Sequence, residues 1–178
     1  MPMPNDCERL LIYFLGLGSI FVGCVSPTRS NDLLLNAAEP SSAEPVTMAM
    51  KVDPPSVRPG ESFDVLVRLR IAGGHHIYST ATPHGPFSPT TLKLLLPGEL
   101  ETAGDWGLPK PVITKTHECV YVDSILFKQR LKVRLNTPET SLSIKLELRC
   151  QPCTEELCWP LREIEASTSV GVSNKTKE

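Results

Sequence analysis

The 178-residue sequence predicts an all-β fold, an antiparallel β-sandwich of immunoglobulin type, on three observations. Two stretches alternate strictly between apolar and polar side chains, the period of a strand buried on one face. Six weaker strand signals lie at short spacing along the chain, broken by turn clusters such as PPSVRPGE, TPHGPFSP and NTPET. Seventeen prolines stand against eleven glycines, and the sequence shows no internal repeat and no long amphipathic stretch. Strand–helix alternation is missing as well, which argues against a parallel α/β sheet.

In chain order, the first strand signal covers 47–53. SFDVLVRLRI, at 62–71, then puts Phe63, Val65, Val67, Leu69 and Ile71 on one face, and Asp64, Arg68 and Arg70 on the other. Weaker signals follow at 75–79, 91–96, 118–123 and 125–135. LSIKLELR, at 142–149, turns Leu142, Ile144, Leu146 and Leu148 inward and Lys145, Glu147 and Arg149 outward. A last signal covers 161–168.

The two ends read differently. LLIYFLGLGSIFV, at 10–22, is an apolar run of thirteen residues, shorter than the roughly 20 that a membrane-spanning helix needs. It reads as the apolar core of a signal peptide over 1–23. FVGC follows, with Gly23 before Cys24, and resembles the lipobox of bacterial lipoproteins, which implies lipidation of Cys24. An ordinary cleaved signal and an uncleaved anchor are the alternatives, and all three routes export the chain to a compartment where disulfides persist. Residues 24–45, rich in Ser, Pro, Ala and Asn, read as a flexible tether. Residues 46–170 form the domain, and 171–178 a polar tail in which NKT is discounted as a glycosylation site.

A net charge of −2 gives no reason to expect nucleic acid. No Ser-His-Asp arrangement, phosphate-binding glycine loop or paired acid motif can be placed, so hydrolase and nucleotide chemistry are unsupported and no cofactor is expected. His75 and His76 with Met48 and Met50 are a weak copper signal.

The cysteines carry the chemistry. CQPCTEELCWP, at 150–160, holds Cys150, Cys153 and Cys158, open to three readings: a structural staple, a metal site or a redox pair. The spacing, with Cys119 added, is not the doubled C-x-x-C of a zinc ribbon, so no metal is expected. A thioredoxin-like C-x-x-C needs a following helix, and TEELCWP is too short and proline-bounded to supply one. Cys150 continues the inward set of its strand and reads as a buried thiol or as the partner of Cys119. Closing the loop from 119 to 150 stabilises by about 3.7 kcal/mol in the chain-entropy description, against about 2.2 kcal/mol for the loop from 153 to 158. The tight pair is the poorer staple and the better candidate for a bond made and broken. Glu155 and Glu156 between its cysteines disfavour a nearby thiolate.

With Gln151 two before Cys153 and Pro160 two after Cys158, this loop resembles the redox loop of the amino-terminal periplasmic domain of the thiol:disulfide interchange protein DsbD. PGESFDVLVRLRIAGGHHIYST followed by SPTTLKLLLPG resembles that family's early strands, and the likeness runs over about 46–170. It implies an immunoglobulin-like fold and a redox pair, Cys153 and Cys158, with Cys158 holding the mixed disulfide and His76 and Tyr78 beside it. It also implies partners: a thioredoxin-like or membrane-embedded donor, expected on a separate chain, and exported thiol-disulfide substrate proteins. The family's cap loop, often aromatic, corresponds to KPVITKTHE, which offers Val112 and Ile113 and no aromatic before Tyr121. Cys150 stands where the family often has an aromatic, and Cys119 has no counterpart.

Two function classes follow: an exported thiol-disulfide electron carrier, favoured and leaning to an oxidoreductase, and a non-catalytic immunoglobulin-like binding module with structural disulfides.

Overall fold

A computed structural model describes residues 37–81 and 87–174. The signal sequence, Cys24 and the first part of the tether lie outside the described residues, as do the last four positions of the tail. Among the described residues the chain forms strands and no helix. The strands are β1 (Val46–Asp53), β2 (Ser56–Val57), β3 (Ser62–Ile71), β4 (His76–Tyr78), β5 (Thr91–Leu95) and β6 (Leu100–Thr102). They continue with β7 (Val112–Ile113), β8 (Cys119–Tyr121), β9 (Ser124–Val133), β10 (Thr140–Cys150), β11 (Pro152–Cys153) and β12 (Arg162–Val172).

Two four-stranded sheets make the sandwich, one ordered β1-β3-β9-β6 and the other β2-β12-β10-β5. All pairings are antiparallel except the short β2–β12 contact, which is parallel. The alternation read from the sequence decides which side chains fill the space between. Phe63, Val65, Val67 and Leu69 of β3 and Leu142, Ile144, Leu146 and Leu148 of β10 are all buried in one core, joined by Phe127, Leu131 and Val133 from β9. Each such aliphatic side chain contributes roughly 1.5–3 kcal/mol by leaving water. Gln129 is the polar member of the inward row of β9, and its amide donates to the Gly104 carbonyl at 2.7 Å. That bond offsets the cost of burying the group. On the outer face of the same sheet Asp64 receives Lys128 at 2.7 Å and Arg130 at 3.1 Å.

Both ends of the domain differ from the sequence reading. β12 runs to Val172 because the inward alternation of Val170 and Val172 continues, so Gly171 and Val172 belong to the sheet rather than to the polar tail. The last nine tether residues are mostly exposed but are tied to the domain at several points. Ala37 is buried, the Ala38 carbonyl accepts the Thr47 hydroxyl, and Arg70 reaches out from β3 to Glu39 at 2.5 Å.

A third, smaller sheet, ordered β11-β4-β8-β7, sits at one end of the sandwich. Three of its strands are continuations of long ones: β3 leads into β4, β8 into β9, and β10 into β11. The corners are made by residues in the left-handed region, Gly74 at φ 76° between β3 and β4 and Asp123 at φ 58° between β8 and β9. Glycine enters that region without steric cost, and aspartate tolerates it better than most residues.

Candidate functional site

The third sheet has two unlike faces. Ile77 of β4 and Tyr121 of β8 lie opposite each other and turn into the sandwich core. Their alternating neighbours Tyr78 and Val120 turn the other way and form a separate apolar cluster with Cys153, against which Phe87, Val122 and Cys158 pack. This second face is where the cysteine loop lies.

Cys153 and Cys158 are joined by a disulfide, their residues facing each other as an antiparallel bridge. The intervening residues close a hairpin turn: the Thr154 N–H donates to the Leu157 carbonyl at 2.8 Å, and the Trp159 N–H to the Pro152 carbonyl at 2.8 Å. No helix follows Cys153, so the helix dipole that activates a thioredoxin-type cysteine is not available to it. The two halves of the bond differ in exposure. Cys153 is fully buried at 0%, while Cys158 is half-buried beside the exposed Glu155, Glu156 and Leu157.

Around the bond, His76 pairs with Cys153 across β4 and β11, and its ring meets Tyr78 edge-on at 5.6 Å. Tyr78 is buried and stacks on Phe87 at 4.6 Å with planes 8° apart, a geometry that adds to the stabilisation from burial alone. On the neighbouring side the His75 ring packs on Trp159 at 4.9 Å. Gln151 donates to the Trp159 carbonyl at 3.2 Å and accepts the Ser88 N–H at 3.1 Å. Pro160 is exposed beyond Trp159.

Burial governs the electrostatics here. It pushes the His76 imidazole below its ordinary value; Glu118 and Glu155 pull the other way without reversing the shift, and His75 adds to it. Burial, reinforced by Glu118, raises the Tyr78 phenol, which therefore keeps its proton at neutral pH. Burial pushes the Cys150 thiol up to about 11, against a small opposing pull from Arg162.

The structure thus brings together Cys153, Cys158, His76, Tyr78 and Gln151, with Pro160 at the rim. It keeps two expected cysteines away from them. Cys119 and Cys150 are both thiols, so the candidate disulfide between them is not formed. Cys150 ends β10 inside the sandwich core, whereas Cys119 opens β8, with its side chain on the Tyr121 face and opposite the exposed Ile113. No group of three or more metal-ligating side chains occurs among the described residues.

Sequence reasoning sought the aromatic cover in KPVITKTHE and missed Phe87. Residues 112–113 and 119–121 form a short hairpin whose outer strand leaves Val112 and Ile113 in solvent, at 50% and 68% exposure. The aromatic neighbour comes instead from the TPHGPFSP turn. The one available signal was a phenylalanine inside a turn cluster, where no core position explains it.

The site is thus a hairpin disulfide on an immunoglobulin-type sandwich, one half in an apolar cluster and the other toward solvent. The family model described as "Thiol:disulfide interchange protein DsbD, N-terminal" matches residues 43–169, and the chain belongs to that family. Among solved structures the fold is similar to the N-terminal periplasmic domain of ScsB from Proteus mirabilis. The TM-score is 0.50 at 10% identity, covering 75% of this chain and 49% of that one. This chain therefore spans about half the length of that relative. The reduced DsbD n-terminal domain of Neisseria meningitidis aligns at TM-score 0.38 and 22% identity, over 65% of this chain and 80% of that one. No curated protein sequence matches the chain.

Proposed function

We propose that the protein is an exported thiol-disulfide electron carrier whose Cys153–Cys158 disulfide is reduced by a thioredoxin-like or membrane-embedded donor and whose dithiol then reduces other exported proteins. The observation that carries this reading is the unequal burial of the two bonded cysteines, Cys153 sealed in the satellite cluster and Cys158 reaching the surface.

The chemistry follows from that asymmetry. A donor thiolate attacks the sulfur of Cys158, forming a mixed disulfide while the Cys153 sulfur leaves with the electron pair of the broken bond. The leaving sulfur sits in the cluster with Tyr78, whose protonated hydroxyl is suited to stabilise the new thiolate until it takes up a proton. The donor's second thiolate then attacks its own sulfur in the mixed disulfide and releases Cys158. The donor dithiol has become a disulfide, and Cys153 and Cys158 hold two thiols. The nearby acidic residues Glu155 and Glu156 disfavour either thiolate, which suits a pair that waits oxidised for a donor and transfers electrons only in a complex. His76, with its lowered value, is mainly neutral at pH 7 and serves as an uncharged neighbour rather than as a cationic acid.

Family membership supports an extracytoplasmic setting, because the ScsB relative is a periplasmic domain. The signal-like run and Cys24 support a setting in the cell envelope with a lipid anchor at Cys24. Fatty-acid labelling that tags the wild type and spares Cys24→Ala supports the anchor, and equal labelling of both overturns it.

Redox titration of the purified chain, with mass-spectrometric mapping of the disulfide, tests the main reading. An exchanging bond titrates above about −300 mV, whereas structural disulfides typically lie below it. A value well below that range, together with inertness to thioredoxin-like donors, would return the protein to the class of braced binding modules.

A further inference from the structure

We propose that Gln151 is a positioning residue for disulfide exchange: its carboxamide ties the Phe87 segment to the cysteine loop, so that an aromatic wall covers Cys153 and attack is confined to Cys158. The inference deepens the exchange reading and rests on it.

Gln151 occupies the corner between β10 and β11. Its Oε1 accepts the N–H of Ser88, the residue after Phe87, and its Nε2 donates to the carbonyl of Trp159, the residue after Cys158. One side chain thereby links the Phe87 segment to the residue that follows the reactive cysteine. The far end of the Phe87 segment is held independently by Thr90, which is buried and gives both its N–H and its hydroxyl to the Tyr78 carbonyl, at 3.0 and 2.6 Å. Next to a chain held at Ser88 and at Thr90, the Phe87 ring lies flat on Tyr78 and packs on the cluster that contains Cys153. The linkage needs one acceptor and one donor at the reach of a glutamine: glutamate lacks the donor, leucine lacks both, and asparagine is a methylene shorter.

The consequence concerns which sulfur an incoming thiolate meets. With the wall in place, the thiolate attacks Cys158, the S–S bond breaks, and Cys153 leaves with the electron pair and then takes up a proton. With the wall loosened, the reverse attack opens, in which the bond forms at Cys153 and Cys158 leaves.

The oxidised full chain is treated with reduced glutathione and quenched early with N-ethylmaleimide, and the peptides are mapped. The cysteine carrying glutathione was attacked, and the one carrying maleimide left. Wild type is expected to carry glutathione on Cys158. Gln151→Ala and Phe87→Ala are expected to carry it on both cysteines and to react roughly fivefold faster, the scale of losing one neutral hydrogen bond that holds the cover. Phe87→Tyr, which restores the ring, should return the wild-type pattern. Gln151→Glu, keeping the acceptor and losing the donor, should give a mixed pattern and replaces Gln151→Ala if that variant does not fold. Glutathione confined to Cys158 in folded Gln151 and Phe87 variants overturns the positioning role and leaves the exchange reading standing. A wild-type protein that forms no mixed disulfide with glutathione, nor with a thioredoxin-like donor lacking its resolving cysteine, overturns both.

Discussion

Cys153 stands directly across the β4–β11 pair from His76, so the buried sulfur and the imidazole share one face of the third sheet. Burial in that position favours the uncharged form of the imidazole, which links the state of the site to pH.

The folded-state value of His76 is lowered from 6.5, chiefly by burial. The unfolded chain therefore binds the proton at a pH where the native protein does not, and the contribution of His76 to stability is present above about 6.5 and lost as pH falls through the lower native value. Urea unfolding of the oxidised protein at pH 7.5 and pH 5 should show a lower midpoint at pH 5, with a smaller drop in His76→Gln. Identical drops in the two proteins would remove His76 as the cause.

The two single-cysteine variants should behave unequally. Cys153→Ser leaves the half-buried Cys158 and should form a stable mixed disulfide with a donor that lacks its resolving cysteine. Cys158→Ser leaves only the sealed Cys153 and should trap little or none. Gel-shift analysis under non-reducing conditions reads the result, and efficient trapping by Cys158→Ser alone would reverse the assignment.

Tyr78→Phe keeps the stack on Phe87 and removes only the hydroxyl. If that hydroxyl steadies the departing Cys153 thiolate, reduction should slow by about tenfold or more, the scale of a hydrogen bond to a charged group. Stopped-flow reduction, followed by the fluorescence of the nearby Trp159, measures the rate. An unchanged rate in a folded variant assigns Tyr78 to packing alone.

Cys150 should take no part in exchange. Its thiol is fully buried and held up at about 11, so at pH 8 it should resist maleimide in the folded protein and react once urea unfolds the chain. Cys150→Ala should lower stability by about 1 kcal/mol and leave the reduction potential of the remaining pair unchanged. A shifted potential would show that Cys150 couples to the redox loop.

The sequence by itself determined the sandwich. A side chain's face in a strand depends only on its parity, so SFDVLVRLRI and LSIKLELR announced their inward rows, and the row of β10 carried Cys150 into the core with it. The cysteine loop was legible in the same local way, because loop length and neighbouring charge are properties of adjacent residues. Tertiary structure alone decided the rest. Strands as short as β2 and β11 have too few residues to show a period, and they exist because distant backbone groups pair with them. The placement of Cys119 depended on which face of β8 meets the core, and a three-residue strand does not declare that in advance. Phe87 and Gln151 are brought together only by the corners that fold β4 and β11 over the end of the sandwich. The bond from Ser88 to Gln151 joins residues 63 positions apart, and such contacts leave no periodic trace in the sequence.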